Sequence, residues 1–151
     1  MASTFTNLLY HIVFSTKCRK PMISPTLQGD LYKYLGGIIR GEGGTLLEVG
    51  GVNDHVHLLA KFKADLSVAA MLRVIKANSS KWVNERCARS QSRFAWQTGY
   101  AAFSVSESQV ADVRAYVRSQ ERHHQKLTFS QELVSMLSKH GIKYDKRYLL
   151  D

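Results

Sequence analysis

Two histidines lie one residue apart near the middle of the chain, in the stretch from Gly51 to Ala60 with the sequence GVNDHVHLLA. This mostly apolar stretch predicts a strand, in which alternate side chains point to the same face. His55 and His57 therefore share a face, with Cα atoms about 6.5 Å apart. Their imidazoles could converge on one cation, but a catalytic metal needs at least one more protein ligand. The pair alone is also compatible with two strand histidines that have no function.

A tyrosine and a glutamine four residues apart are candidates for the additional polar group. Tyr116 and Gln120 lie in the segment AYVRSQ, which predicts a helix with an apolar stripe through Val110, Val113 and Val117. Residues four apart in a helix lie one above the other, so both side chains point the same way at the edge of that stripe. The periodicity is equally compatible with Tyr116 as a packing residue and Gln120 as a solvent-exposed amide.

Strands and helices alternate around these residues. Strands are predicted at 8–15, 45–52, 55–62 and 99–106, and helices at 25–41, from about 65 to 89, from 107 to about 125 and from about 130 to 141, with a polar loop at 87–93. The order β-α-β-β-α-β is that of the ferredoxin-like split βαβ unit. We therefore predict an α+β protein with one domain over residues 1–151. It has a core at about 8–106 and C-terminal helices at about 107–140.

This architecture predicts the surroundings of the two histidines. Val56, Leu58 and Phe62 alternate with them and form the apolar face of the strand. In a ferredoxin-like unit two helices cover one side of the sheet, which must be this apolar side. The histidines are therefore expected on the side that the helices leave uncovered.

The charge of the chain favours an anionic partner. The 151 residues include 21 Lys plus Arg against 12 Asp plus Glu, a formal net charge of +9. Such an excess is typical of proteins that bind nucleic acid or an acidic membrane surface, although a basic surface without a partner remains an alternative. Lys17, Arg19 and Lys76 are the candidate phosphate contacts, and Trp96 and Tyr100 are candidates for stacking on bases.

Several classes of protein are disfavoured by what the sequence lacks. The apolar run from Leu8 to Phe14 is too short to span a bilayer and has no basic segment before it, so a cytoplasmic location without membrane contact is expected. Cys18 and Cys87 are far apart and form no CxxC pair, which argues against a disulfide framework and against a thiolate zinc site.

Four blocks of sequence resemble the single-tyrosine HUH transposases of small bacterial insertion sequences, a family named for a histidine-hydrophobe-histidine motif. The blocks are NDHVHLL, FAWQTGYAAFSVSES, VRAYVRSQERHH and SKHGIKYDKRYLL, and the likeness extends over nearly the whole chain from LLYHIVFSTKCRKP. The resemblance implies a ferredoxin-like sheet with an extra, tyrosine-bearing helix. It assigns His55 and His57 as ligands of Mg²⁺ or Mn²⁺, Gln120 as the third ligand and Tyr116 as the nucleophile.

The resemblance also implies an activity and partners. Members cleave and rejoin single-stranded DNA at element ends through a 5′-phosphotyrosine intermediate, and they recognise DNA hairpins near those ends. The expected assembly is a homodimer with shared active sites, in which the tyrosine helix of each protomer completes the histidine site of the other.

Three alternatives stay open at this point. A non-catalytic nucleic-acid-binding module of ferredoxin-like fold would be expected to carry aromatic residues at the centre of the sheet, where this chain has histidines. A metal-dependent hydrolase would need a carboxylate near the pair, and Asp54 is the only adjacent acid in the sequence. A domesticated endonuclease of the same family, acting on repeated chromosomal hairpins, can be distinguished only by the flanking DNA.

Overall fold

Four antiparallel strands form one sheet in the order β2-β3-β1-β4. The structure is a computed structural model, and it describes residues 3–87 and 92–149. The strands are β1 (Leu8–Ser15), β2 (Thr45–Gly51), β3 (His55–Phe62) and β4 (Ala101–Val105). The helices are α1 (Pro25–Gly41), α2 (Val68–Arg86), α3 (Val110–Arg118), α4 (Gln120–His123) and α5 (Phe129–Lys139). The order β1-α1-β2-β3-α2-β4 confirms the predicted ferredoxin-like α+β fold.

The first two helices begin at serine caps. The Ser24 side chain accepts a hydrogen bond from the Leu27 amide at the start of α1, and Ser67 accepts one from the Ala70 amide at the start of α2. The predicted end of α2 near Arg89 and most of the predicted loop at 87–93 lie outside the described residues, which omit 88–91.

The core lies between the sheet and the pair α1 and α2. Its strand residues come from the face that the sequence predicts as apolar, with Val56 and Leu58 fully buried. From the helices, Leu31, Leu35 and Ile75 pack against them with no exposed surface. The apolar residues that alternate in the strands therefore pack against those that recur every 3.6 residues in the helices, and together they form one apolar layer.

The opposite face of the sheet is covered too, which corrects the expectation that the histidines face an open side. Helices α3, α4 and α5 lie over it, and His55 and His57 have no exposed surface. Helix α5 brings an apolar stripe that includes Phe129 and Leu133, which pack against Val13 of β1. The split βαβ order describes only the first 106 residues, so it carried no information about where the remaining helices dock.

Helix α3 approaches β2 closely at Gly50. A Cβ atom added at Gly50 would lie 1.9 Å from the backbone oxygen of Val117 in α3, so a larger residue cannot occupy this position without displacement. Arg114, which also belongs to α3, donates a hydrogen bond of 2.9 Å to the Leu47 carbonyl oxygen in β2. These contacts hold the tyrosine-bearing helix on the sheet of its own chain.

The predicted helix from 107 to about 125 is broken. A 3₁₀ turn at Glu107–Gln109 precedes α3, and Ser119 separates α3 from α4. The Ser119 hydroxyl donates to the Ala115 carbonyl oxygen at 2.8 Å, a local bond that competes with regular helix geometry. Helix α5 ends at Lys139, two residues before the predicted Gly141, whose φ of 66° suits a glycine just past a helix end.

Among the residues described, no helix is long and apolar enough to cross a membrane.

Candidate active site

His55 and His57 extend from β3 beneath the C-terminal helices, and each ring is held through its Nδ1 atom. His55 Nδ1 donates to Asp54 Oδ1 at 2.7 Å. His57 Nδ1 lies 2.8 Å from Nε2 of His11, which belongs to the neighbouring strand β1. Because both Nδ1 atoms are engaged, both Nε2 atoms point into the same enclosed space, as in histidines that bind a metal through one nitrogen.

A carboxylate from α5 occupies this space. Glu132 Oε1 accepts hydrogen bonds from His57 Nε2 at 2.9 Å and from His124 Nε2 at 3.0 Å, and it lies 3.5 Å from His55 Nε2. The ligand atoms of these four residues all lie within 4.8 Å of one another. Three imidazole nitrogens and one carboxylate oxygen at this separation are a donor set that fits one divalent ion.

Gln120 lies at the edge of the same cluster. Its side chain is buried, with Oε1 3.4 Å from His55 Nε2 and with Nε2 donating to the Tyr116 carbonyl oxygen at 3.2 Å. The residue that the resemblance assigns as third ligand is therefore within reach of the space that the histidine Nε2 atoms face.

Tyr116 reaches the cluster from α3. Its hydroxyl donates to Glu132 Oε2, and its ring centroid lies 5.8 Å from that of His57 in an edge-on arrangement. Burial raises the pKa of Tyr116, and the hydrogen bond and charge of Glu132 raise it further, so the hydroxyl is protonated at neutral pH. The tyrosine and the histidine pair thus contact the same carboxylate, one through each oxygen.

Burial and hydrogen bonding set the charges in the cluster. Burial lowers the pKa of His57 to about 4, and burial together with the neighbouring His57 lowers the pKa of His11 to about 3, so both rings are neutral at pH 7. Burial alone would raise the pKa of Glu132, but hydrogen bonds from three histidines outweigh it and hold that pKa well below its ordinary value. The pKa of His55 is raised, because Asp54 and Glu132 outweigh the opposing effect of burial.

The basic residues proposed from the sequence do not converge on this cluster. Lys76 donates to the carbonyl oxygens of Thr98 at 2.9 Å and Gly99 at 2.8 Å, and burial lowers its pKa to about 8. Arg19 donates to the Ser130 hydroxyl at 2.9 Å. Lys17 is exposed and lines a separate basic cleft of about 710 Å³.

The two aromatic candidates for stacking on bases differ in exposure. Trp96 is buried and donates to the Ser79 hydroxyl at 2.8 Å. It is therefore a core residue and is not exposed for stacking on DNA. Tyr100 is 41% exposed and remains free to contact a base.

Sequence reasoning missed three members of the cluster, namely His11, His124 and Glu132. His124 follows Gln120 by four residues, a spacing that could have placed it on the same helical face. Glu132 lies in the stripe of α5 between Phe129 and Met136, and an acid within an otherwise apolar stripe is a signal of a buried charge.

Known transposases resemble this chain in sequence. The family model described as "Transposase IS200 like" matches residues 4–120. The transposases for insertion sequence element IS200 of Salmonella typhimurium (strain LT2) and Salmonella typhi are each 27% identical over 128 residues, which cover 80% of this chain and 81% of the relative.

Two solved structures share the fold. A candidate transposase from Deinococcus radiodurans R1 has a TM-score of 0.65 and 21% identity, with 78% of this chain and 93% of that chain covered. A REP-associated tyrosine transposase bound to a REP hairpin has a TM-score of 0.53 and 13% identity, with coverage of 78% and 67%. At these identities the likeness supports the architecture alone. The family match spans well over half of the sequence, and the chain therefore belongs to the IS200-like transposase family.

Proposed function

We propose that this transposase cleaves and rejoins single-stranded DNA at the ends of its element through a 5′-phosphotyrosine intermediate, with Tyr116 as the nucleophile. The observation that carries the proposal is the meeting of the Tyr116 hydroxyl with the histidine cluster at Glu132. A tyrosine used only for packing would not need its hydroxyl directed into a buried group of metal-ligand side chains.

We propose Mg²⁺ or Mn²⁺ as the cofactor, held by His55, His57 and Gln120. The Nε2 atoms of the two histidines and Oε1 of Gln120 border the same space. When bound, the ion would withdraw charge from a non-bridging phosphate oxygen and so stabilise the transition state. The three assigned ligands carry no negative charge, but the buried carboxylate of Glu132 beside them adds one that the sequence did not predict.

The chain's own groups account for the covalent step. The Tyr116 oxygen forms a bond to phosphorus and gives up its proton, and the bond from phosphorus to the 3′ oxygen breaks. The leaving 3′ oxygen takes up a proton in exchange and becomes a free 3′ hydroxyl. Glu132 Oε2 already accepts the tyrosine's hydrogen bond and is the nearest acceptor for its proton. Since the phosphotyrosine preserves a phosphodiester, a second 3′ hydroxyl can attack it and join new ends without ATP.

The proposed substrate is single-stranded DNA with a hairpin. The net charge of +9 favours a polyanion, and the REP-associated relative of the same fold is described as bound to a hairpin. A continuous duplex would not easily bring one phosphate between Tyr116 and the histidines, because the histidines lie beneath helices α3 to α5 and Tyr116 is only partly exposed.

A homodimer with shared active sites remains our proposal for the assembly. In the arrangement described here Tyr116 contacts the histidines of its own chain, so sharing would require α3 to leave Gly50 and dock on a partner. Mixing inactive Tyr116→Phe and His57→Ala chains under subunit exchange tests this. Shared sites would restore some covalent adduct in the mixture, and none would form if each protomer acts alone.

The nucleophile is tested by trapping the protein on DNA. A hairpin oligonucleotide with its single-stranded flank, incubated with Mg²⁺ or Mn²⁺, is expected to form an adduct that survives denaturation. Tyr116→Phe should bind the DNA and form no adduct, whereas Tyr148→Phe, a control at an exposed tyrosine outside the cluster, should form it normally.

The same assay separates strand transfer from hydrolysis. Because Glu132 supplies a second carboxylate at the histidines, the absence of such a group no longer argues against a hydrolase. A hydrolase would release free 5′ ends without an adduct in the wild type. That result, or an adduct in Tyr116→Phe, would reject the proposed mechanism.

A further inference from the structure

We propose that Glu132 couples the divalent ion to the nucleophile: Oε1 is a ligand of the ion, and Oε2 holds the Tyr116 hydroxyl. This inference rests on the proposed function, since it assumes an ion at the histidine cluster and a catalytic tyrosine. It adds a charged ligand and a direct link between ion binding and the position of Tyr116.

The two carboxylate oxygens have different partners. Oε1 lies 2.9 Å from His57 Nε2, 3.0 Å from His124 Nε2 and 3.5 Å from His55 Nε2. Oε2 accepts the hydrogen bond from Tyr116. Oε1 is thus surrounded by the nitrogen atoms that would bind an ion, and Oε2 is hydrogen-bonded to the phenol of Tyr116.

The carboxylate of Glu132 is a buried charge. Glu132 is 1% exposed and lies on a helix face that is otherwise apolar. Within the described part of the chain, its ion-pair partners are histidines, with no Lys or Arg among them. Buried charges in proteins are paired or coordinate metals, because an uncompensated charge is costly in a dry interior.

An ion among the Nε2 atoms would have to coordinate Oε1 or displace it. Displacement would take the carboxylate away from His57, His124 and Tyr116 and leave a buried charge without donors. Coordination keeps Oε2 in place on the tyrosine. The geometry therefore favours a carboxylate that joins the ion to the nucleophile.

The first test measures ion binding without DNA. We titrate the protein with Mn²⁺ and follow free Mn²⁺ by electron paramagnetic resonance, using wild type, Glu132→Gln and Glu85→Gln. Glu85 is an exposed residue of α2, so its variant makes the same change in charge away from the cluster. We expect the Kd of Glu132→Gln to rise about 10-fold or more, and that of Glu85→Gln to stay within about 2-fold of wild type. A Glu132→Gln Kd equal to that of wild type would overturn the inference.

The second test examines the link to Tyr116 in the wild-type chain, so it does not depend on whether Glu132→Gln folds. With ¹³C-labelled tyrosine, the Tyr116 ring signal is assigned by its absence in Tyr116→Phe. Saturation with Mg²⁺ is expected to shift this signal and to leave that of the exposed Tyr148 unchanged. An unshifted Tyr116 signal at saturation would reject the coupling.

These outcomes are separable from the fate of the proposed function. If wild type forms the DNA adduct but Glu132→Gln binds Mn²⁺ normally, only the coupling fails. If wild type forms no adduct, the proposed mechanism fails whatever the ion measurements give.

Discussion

On one face of the sheet, α1 and α2 bury hydrocarbon, with Leu31, Leu58 and Ile75 completely enclosed. On the other face, α3 to α5 enclose His55, His57 and Glu132 just as completely. Burial of the first set removes apolar surface from water and stabilises the fold. Burial of the second set carries a desolvation cost that hydrogen bonds must offset. The two sets of residues are equally buried but differ in the sign of their expected effect on stability. The proposed active site lies on the face where burial of polar groups has a cost.

The largest expected effect on stability comes from the apolar face. Leu58→Ala should lower the free energy of unfolding by about 2–5 kcal/mol, because it leaves a cavity among fully buried side chains. Tyr116→Phe removes one hydrogen bond to a charged group and should cost less, about 1.5–3 kcal/mol. Urea unfolding of both variants measures the difference. A greater loss in Tyr116→Phe would show that the polar face, and not the apolar one, dominates stability.

An intermediate effect is expected where α3 packs against β2. Gly50→Ala would place a methyl group 1.9 Å from the Val117 oxygen, so α3 must move. We expect a loss of about 1–3 kcal/mol, and a fall of about 100-fold in the rate of adduct formation if Tyr116 shifts by about 1 Å.

Gly29→Ala is the matched control for that variant. Gly29 is an exposed residue of α1 with nothing within 4 Å of an added Cβ, so alanine should stabilise the chain by about 0.5–1 kcal/mol. Both variants are compared by urea unfolding and by the rate of adduct formation. Normal adduct formation in Gly50→Ala would mean that the contact between α3 and β2 is dispensable for the reaction.

The two faces should also differ in how the free energy of unfolding changes with pH. The pKa of His57 is about 4 in the folded chain against an ordinary 6.5, so between these values the unfolded chain binds more protons and stability falls as pH falls. Glu132, with its lowered pKa, adds a loss in the same direction at lower pH. The raised pKa of His55 acts oppositely, since its contribution is present below pH 6.5 and lost as pH rises through the folded value.

The measurement is urea unfolding from pH 4 to 8 with a chelator present. In His57→Gln, the dependence of the free energy of unfolding on pH between pH 6.5 and 4 should be less steep, by up to about 1 kcal/mol per pH unit. Leu58→Ala should shift the whole profile in parallel, because it removes no titrating group. An unchanged slope in His57→Gln would contradict the assignment of a depressed pKa to that ring.

Local signals predicted most of the elements. The strands at Leu8–Ser15 and His55–Phe62 have the predicted bounds, because alternation and adjoining polar turns are properties of short segments. Helix α1 begins at Pro25 for a similarly local reason, the hydrogen bond that the Ser24 side chain accepts from the Leu27 amide. The long helix predicted from 107 was wrong, since its break depends on a side-chain bond at Ser119 that periodicity does not register.

The sequence by itself determined which residues share a face. Alternation in β3 aligned His55 with His57, and helical spacing aligned Tyr116 with Gln120. Only the tertiary structure decided that these pairs meet and that Glu132 lies between them. Glu132 is 75 residues from His57 along the chain, and its place depends on how the apolar stripe of α5 packs against the sheet. Spacing within an element follows from backbone geometry, whereas contact between distant elements is decided by the packing free energy of the whole fold.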